Sequence, residues 1–486
     1  MRVPFAEQTF AGGNALRFQS AQGKEILKEH QRMSASLIPQ GPKGNFILGV
    51  MSEFNRDSLA FIEKLPREYG DIVRTRFFYV PAYFLYHPDH IEYVLATNNR
   101  NFIKPLSFRT PFFQRLVGNG LLTSEGDFWR RQRRLAQPAF HRERISGYGQ
   151  VMVKDAEKML ATWKDGETRD IHRDMMRLTM EIVTHTLFNV DVTDDADKVA
   201  EALSVLVEPF GSQATLKWIL DNRLPTPGNR RFHKVAKQLD EVVYRIISER
   251  RASGNQDQGD LLSMLLQAHD EDDGSRMTDQ QLRDEVITLF LAGQETTALA
   301  LSWAWYLLAQ DAEAESKFWR ELEETLGGRA PEVADLPRLK FTEMIAKESL
   351  RLYPPAYIVG REAINDCEIG GYPVPAGMQL FMPTWVVHRD ARFFDSPSEF
   401  KPERWTPEFI AGLPKYAYFP FGGGPRVCIG NSFAMMEIVL LLATIAQQFR
   451  LRLVPDQKIT LMPAMSLRPR DGIKMTLGKR EGKRQK

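Results

Sequence analysis

Phe421-Gly422-Gly423-Gly424-Pro425-Arg426-Val427-Cys428-Ile429-Gly430 is the stretch around which the rest of the sequence is organised. Three consecutive glycines and a proline specify a tight loop whose backbone reaches conformations closed to other residues. The loop delivers Cys428 to the start of an apolar run from Asn431 to Phe449, which reads as a buried helix. The unpaired N–H groups and dipole of a helix N-terminus favour a thiolate, and Arg426 adds a positive charge two residues away. A lone thiolate held in this way suits ligation of one soft metal site, and haem iron is the candidate. In an average sequence a lone cysteine is more often a buried structural residue. The loop chemistry reverses that preference here.

The loop resembles the haem-binding loop of the cytochrome P-450 family, written FxxGxRxCxG. Phe421, Gly424, Arg426, Cys428 and Gly430 match it position for position, and Ala434 matches the small residue that follows. The resemblance implies a mainly α fold with a smaller β portion and a long central helix over a cysteine-ligated haem b. It makes Cys428 the metal ligand and places Phe421 and Arg426 against the cofactor. Three further motifs follow in the family's order, so the resemblance extends over about residues 39–478.

In Phe128–Leu135, Trp129 and Arg133 are four residues apart and share one helix face. An indole N–H and a guanidinium on one face can both reach a carboxylate, and the pair matches the family's WxxxR motif. The resemblance directs both to the haem propionates. Arg130, Arg131 and Arg134 point elsewhere, as a solvated face or as part of a basic surface for an acidic electron donor.

Thr278 and Gln281 form a capping box that opens a helix running to about Gln310. Such a helix is about 50 Å long at roughly 1.5 Å per residue. It is apolar nearly all round and therefore buried, and Gln294-Glu295-Thr296-Thr297 at its middle argues against a membrane span. Ala292–Thr297 matches the family's oxygen-activating pattern, small-Gly-x-acid-Thr-Thr. The resemblance assigns Glu295 and Thr296 to proton delivery, while Gly293 lets a ligand approach the backbone; a mere polar kink is the competing reading.

Phe341, Ile345, Glu348 and Leu352 follow a helical period, which puts Glu348 on an apolar face where its carboxylate demands a partner. Arg351 lies three residues on. The two match the family's ExxR pair, and Arg404 matches the third member of that charge cluster, with a structural role. Arg361, in the Ile358–Ala363 strand, matches a propionate-binding arginine. His388 reads as a packing position, and Cys367 falls in a turn-rich segment without a role.

Elsewhere the signals are coarser. Pro39–Gly44 resembles a hinge that opens the folded domain, after an N-terminal extension of residues 1–38. Asp71–Phe78 and Pro81–Tyr86 read as a strand hairpin, and Pro88–Leu95 as a short helix. The resemblance makes Phe102–Leu122 a mobile loop over the pocket, where Phe108, Phe112, Phe113 and Leu116 imply an apolar ligand; ordinary loop packing is the alternative. Leu203–Leu224 carries no motif. Pro463–Leu467 and Ile473–Leu477 read as a hairpin, with substrate contacts at its tip, Ala464–Ser466.

Composition sets the bounds. The 486 residues are 43% hydrophobic and 26% charged, with a net charge of only +2. The tail, residues 479–486, carries +4 and leaves −2 for the rest, so no basic field points to nucleic acid. Two cysteines exclude a disulfide framework and fit a reducing compartment. Residues 1–38 contain nothing close to the roughly 18 apolar residues of a spanning helix. The expectation is a soluble, bacterial-type, cytoplasmic monomer. The resemblance implies monooxygenation, in which one atom of O2 enters a C–H bond of a hydrophobic small molecule such as a fatty acid, terpenoid or polyketide. With no flavin or nicotinamide fingerprint in the chain, electrons come from a separate ferredoxin or flavodoxin and an NAD(P)H-dependent reductase. A peroxide-driven enzyme of the same fold and a non-catalytic haem carrier are the alternatives.

Overall fold

The computed structural model describes residues 38–188, 226–252, 259–269 and 274–480. Residues 1–37, the segment 203–224 and the tail beyond residue 480 lie outside them.

The longest described helix, Asp279–Leu308, starts at a reciprocal cap. The Gln281 N–H donates to Thr278 Oγ1 at 3.2 Å, and the Thr278 N–H donates to Gln281 Oε1 at 2.8 Å. Five helices frame the site: α1, Gly126–Ala136; α2, Ile171–Val183; α3, Asp279–Leu308; α4, Lys340–Leu352; and α5, Asn431–Gln448. Because α3 is apolar on most of its circumference, it packs on several partners at once, against α2, α4 and α5. Val286, Ile287, Ala298, Leu299, Leu301 and Trp303 are all buried within the main core.

The first turns of α3 also fix the loop that precedes α1. Asp284 accepts from the Asn119 N–H at 2.8 Å, and Glu285 Oε2 accepts from the Leu121 N–H at 3.1 Å. Burial pushes the Glu285 carboxyl up to about 8, with the Leu121 N–H opposing and the Asp284 charge adding to the rise. In the same region Phe113 and Leu116 are core residues, and Phe108 packs on Phe113 with ring centroids 4.8 Å apart. The Phe112 side chain is outside the described part. The stretch expected as a mobile loop is thus partly ordered: Phe113 and Leu116 lie in a short helix, Pro111–Val117, that packs them into the core.

The β portion lies to one side. Its main sheet joins β1 (Ile72–Phe77), β2 (Val80–Leu85), β3 (Phe102–Ile103), β5 (Val359–Ala363) and β8 (Gln379–Met382) in the order β1-β2-β8-β5-β3. Only β2 and β8 run parallel in it. Cys367 is in β6 (Cys367–Ile369), which pairs with β7 (Tyr372–Val374).

The expected C-terminal hairpin is corrected in one arm. β10 (Leu461–Pro463) pairs with β11 (Leu467–Pro469), so the tip at 464–466 stands. However, β12 (Lys474–Lys479) joins β9 (Phe449–Leu453) and β4 (Thr168–Asp170) in a separate sheet. No helix among the described residues is long and apolar enough to cross a membrane.

Candidate active site

The cysteine loop is fixed by its glycines and by its own backbone. Gly424 has φ +63°, and a Cβ there would stand 1.7 Å from the Leu95 carbonyl oxygen, so only glycine fits. The Gly424 N–H donates to Tyr416 Oη at 3.2 Å. The Cys428 N–H donates to the Phe421 carbonyl at 3.0 Å, which closes the loop and leaves the cysteine just before the first turn of α5.

Cys428 has an exposed side chain, yet burial is the main influence on its thiol and pushes it above its ordinary range. An interior cavity reconciles the two: the sulfur borders open space that is walled by protein. The Gly430 N–H, Arg133 and Lys104 pull the thiol the other way, toward the thiolate. Arg426, the charge expected from the sequence, is not among these influences. It is engaged by the Glu125 carboxylate and by the Ser124 carbonyl at 3.0 Å.

Cations gather around this cavity. Trp129 lies under the Arg426 guanidinium, 4.3 Å from ring centroid to Cζ. Arg133 donates from Nη1 to the Val427 carbonyl at 2.9 Å, beside the cysteine. Helix α1 thus brings both motif residues to the loop. Arg361 on β5 is only 5% exposed, pairs with no carboxylate among the described residues, and donates to the Gly360 carbonyl at 2.7 Å. Burial and the neighbouring Arg426 push it down to about 10.

Lys104 completes the group, and sequence reasoning missed it, since its only signal is a single cation within the apolar Phe102–Leu106 stretch. Burial, then the like charges of Arg361 and Arg426, push its ammonium well below the ordinary range. Its backbone N–H donates to Glu125 Oε1 at 2.6 Å. Lys104, Arg361 and Arg426 thus share one carboxylate, Glu125, while Arg133 has only the cysteine as a charged neighbour. Such a surplus in a desolvated place calls for further anionic charge.

The opposite wall comes from α3. Ala292 and Thr296, one turn apart, are exposed in the middle of a helix whose neighbouring residues Gln294, Glu295, Thr297 and Ala298 are buried. They border interior space. The Thr296 hydroxyl donates back to the Ala292 carbonyl at 2.6 Å, and Thr179 on α2 donates to the Gln294 carbonyl at 2.9 Å.

Glu295 does not share the cavity with Thr296. Adjacent helical residues diverge by about 100°, and Glu295 turns toward the C-terminal hairpin, where it accepts from Arg468 Nε and Ser466 Oγ. His172 on α2, 3.3 Å from Ser302 Oγ, lies close enough to feel both charges of that ion pair. Burial, with help from Arg468, holds its ring down to about 4, against Asp170 and Glu295. Neither Arg468 nor His172 carries a local sequence signal.

Glu348, Arg351 and Arg404 form a separate network. Glu348 is fully buried and accepts five hydrogen bonds: two from Arg351 at 2.7 and 2.8 Å, and one each from Arg404 at 2.9 Å, the Lys401 N–H at 3.0 Å and Trp405 Nε1 at 3.0 Å. Arg351 also donates to the His388, Pro397 and Glu399 carbonyls, which ties α4 to the segment that leads into the cysteine loop. His388 is fully buried and its Nε2 accepts from the Phe419 N–H at 2.9 Å, a packing position as expected.

These features suit haem. Among the described residues no three His, Cys, Asp or Glu side chains converge as a metal-binding group. The lone thiol of Cys428 therefore suits a metal that brings its other ligands in a macrocycle. The cation surplus matches the two carboxylates that such a macrocycle carries.

Comparison with known proteins agrees. The family model of cytochrome P450 matches residues 39–477. Cyclooctatin synthase of Streptomyces melanosporofaciens is 40% identical over 415 residues, 85% of this chain and 89% of that protein. Cyclooctat-9-en-7-ol 5-monooxygenase of the same organism is 36% identical over 410 residues, 84% of this chain and 88% of that protein. The crystal structure of the cytochrome P450DA heme domain superposes with a TM-score of 0.82 at 25% identity, over 92% of this chain and 98% of that one. A cavity-facing thiol, a surplus of buried cations and a polar interruption in a buried helix are thus found in a chain that belongs to the cytochrome P450 family and is a cytochrome P450 monooxygenase.

Proposed function

We propose that this protein hydroxylates a terpenoid, using haem b ligated by Cys428 and electrons from a separate ferredoxin or flavodoxin with its NAD(P)H-dependent reductase. The observation that carries the reading is Cys428 in a walled cavity beside four cations and one carboxylate. The 40% identical relative makes cyclooctatin, and the 36% identical one acts on cyclooctat-9-en-7-ol, which supports the terpenoid class. We take residues 39–478 as the haem domain, residues 1–38 as an extension and 479–486 as a basic tail.

When bound, haem supplies the chemistry of dioxygen activation and of oxygen-atom transfer into a C–H bond. The protein's part is positioning, charge and protons. Cys428 must lose its proton to act as ligand, and Arg133 and Lys104 lower the cost of doing so against the burial that raises it. Lys104, Arg361 and Arg426, with Trp129 and Arg133 beside them, would hold the propionates, and Phe421 would pack at the loop's start. Apolar walls position the substrate so that one C–H bond is presented.

Thr296 offers a hydroxyl to the cavity. The hydroxyl donates its hydrogen to the Ala292 carbonyl and can turn to the cavity when that bond is exchanged. Glu295, one residue away, is the acid behind it. Held by Arg468 and Ser466, it passes a proton only when that pairing loosens, so the hairpin next to the substrate tip controls the step.

The test is product formation from a panel of terpenoids, first screened by the haem spin shift on binding. Product should form with ferredoxin, reductase and NAD(P)H, and not with hydrogen peroxide alone. Product with peroxide alone would mark a peroxygenase, and spin shifts from fatty acids but from no terpenoid would overturn the substrate class.

A further inference from the structure

Phe46, Ile47 and Tyr79 are 93%, 71% and 85% exposed, the three highest values among the large hydrophobic side chains of the described residues that stand out on the surface. They come from two loops some thirty residues apart that are pinned side by side. The Arg76 guanidinium donates from Nη2 to the Asn45 and Phe46 carbonyls, both at 2.9 Å, and from Nη1 to the Phe78 carbonyl. The Val50 N–H donates to the Arg76 carbonyl at 2.8 Å, and the Phe78 N–H to the Leu48 carbonyl at 3.1 Å. Gly49, at φ +61°, makes this approach possible, because a Cβ would stand 1.8 Å from the Arg76 carbonyl oxygen. Three apolar knobs are therefore held outward on a rigid base, at no benefit to the fold.

The charge around them has one sign. Residues 38–50 and 72–85 contain Lys43, Arg74 and Arg76 and no Asp or Glu. The nearest acids along the chain are Glu53 and Asp71, and Asp71 is engaged by Arg392 at 2.8 Å. Lys43 and Arg74 are exposed beside the knobs.

We propose that this corner docks the protein on an anionic lipid surface, with Phe46, Ile47 and Tyr79 inserted at the headgroup boundary and the exposed Lys43 and Arg74 against the lipid charge. A second copy of the chain fits less well. Two aromatic side chains of about 150–250 Å² each and one smaller isoleucine fall short of the roughly 800 Å² per partner of a stable interface, and like charges would face each other. Docking of this kind needs no spanning helix, and it brings the protein to the phase in which an apolar substrate accumulates.

The test uses the full-length, haem-loaded protein and sedimentation with vesicles of mixed phosphatidylcholine and phosphatidylglycerol, or of phosphatidylcholine alone. The protein should partition to the anionic vesicles at least about tenfold more strongly than to the neutral ones, and salt should weaken the difference. F46S/I47S/Y79S should lower partitioning at least about tenfold with unchanged haem content, and K43E/R74E should abolish the preference for anionic lipid. Equal sedimentation with and without vesicles, or a triple variant that sediments like the wild type, overturns the proposal. Two results would replace it with another occupant. A dimer that the triple variant dissociates, without vesicle binding, assigns the patch to a second copy. Hydrogen exchange in residues 1–37 that speeds up in the triple variant, again without vesicle binding, assigns it to that segment.

Discussion

Replacing Glu348 by Ala removes the one acceptor that neutralises two arginines and satisfies two further donors. Arg351 is fully buried with its partner, so the variant leaves a guanidinium held by carbonyl oxygens alone. Breaking one side of a buried ion pair costs about 3–5 kcal/mol. The buried Trp405 Nε1 also loses its acceptor, which costs about 1–3 kcal/mol, while the Lys401 N–H of an exposed residue can turn to water. The sum is about 4–8 kcal/mol, comparable with the roughly 5–15 kcal/mol that holds a domain together. The segment anchored by this network runs from His388 to Trp405, and His388 in turn holds Phe419 just ahead of the cysteine loop, so haem incorporation should fail before the helical core does. Glu348→Gln keeps an oxygen acceptor but loses the charge and should fall between Ala and wild type. The measurements are soluble yield, the ratio of haem to protein absorbance and thermal unfolding. A Glu348→Ala protein with full haem content and an unchanged unfolding temperature would refute the structural role given to the cluster.

Reduced protein under carbon monoxide should show the red-shifted Soret band of thiolate-ligated haem. Cys428→His should remove it and Cys367→Ser should leave it intact. Thr296→Ala should keep consuming NAD(P)H through the electron donor but convert most of it to hydrogen peroxide, with product per NAD(P)H falling about 10²-fold or more; an unchanged ratio would reduce Thr296 to a polar kink. Lys104→Met and Arg361→Met should each weaken haem retention, measured as the rate of haem transfer to apomyoglobin, with the Cys428 spectrum preserved. Folding raises the Glu285 carboxyl from an ordinary 4.5 to about 8, so between these values the folded state keeps a proton that the unfolded state has lost. Its stability contribution therefore falls as pH rises through that window, by at most about 1.4 kcal/mol per pH unit. Glu285→Gln should unfold at a temperature less dependent on pH, with its largest advantage near pH 8.

What was legible in the sequence was local in character. The cysteine loop is written in glycines because the Leu95 carbonyl leaves no room for a Cβ at position 424. The cap of α3 and the Glu348–Arg351 pair are set within three residues. What was not legible depends on distant partners. Arg468 reaches Glu295 from 173 residues away, and Lys104 joins Arg361 only because β3 pairs with β5. The same limit misassigned β12. Its nearest apolar neighbour in sequence suggested a hairpin, whereas its strand partners are β9 and β4, the latter about 300 residues earlier. For Phe113 and Leu116 the sequence left ligand contact and packing both open, because a Phe-rich stretch has no periodicity that separates packing from recognition.

The buried charges sort themselves into two kinds, and the distinction bears on which residues meet the cofactor. Around Glu348 every charge is answered inside the chain: the carboxylate has its arginines, the arginines have carbonyls for their remaining N–H groups, and nothing faces open space. Such a set is complete without any ligand, and its work is to hold one segment against another. Around Cys428 the opposite holds. Lys104, Arg361, Arg426 and Arg133 have one carboxylate between them, and burial drives each cation below its ordinary range instead of a partner raising it. A fold that carried this surplus alone would give up stability for nothing, since each desolvated cation costs free energy until an anion arrives. The surplus is therefore stability held back for a dianionic group, and it follows that haem should raise the protein's unfolding temperature by more than the iron–thiolate bond alone supplies. The Lys104→Met and Arg361→Met proteins offer the comparison: each should be more stable than the wild type without haem and gain less when haem is added.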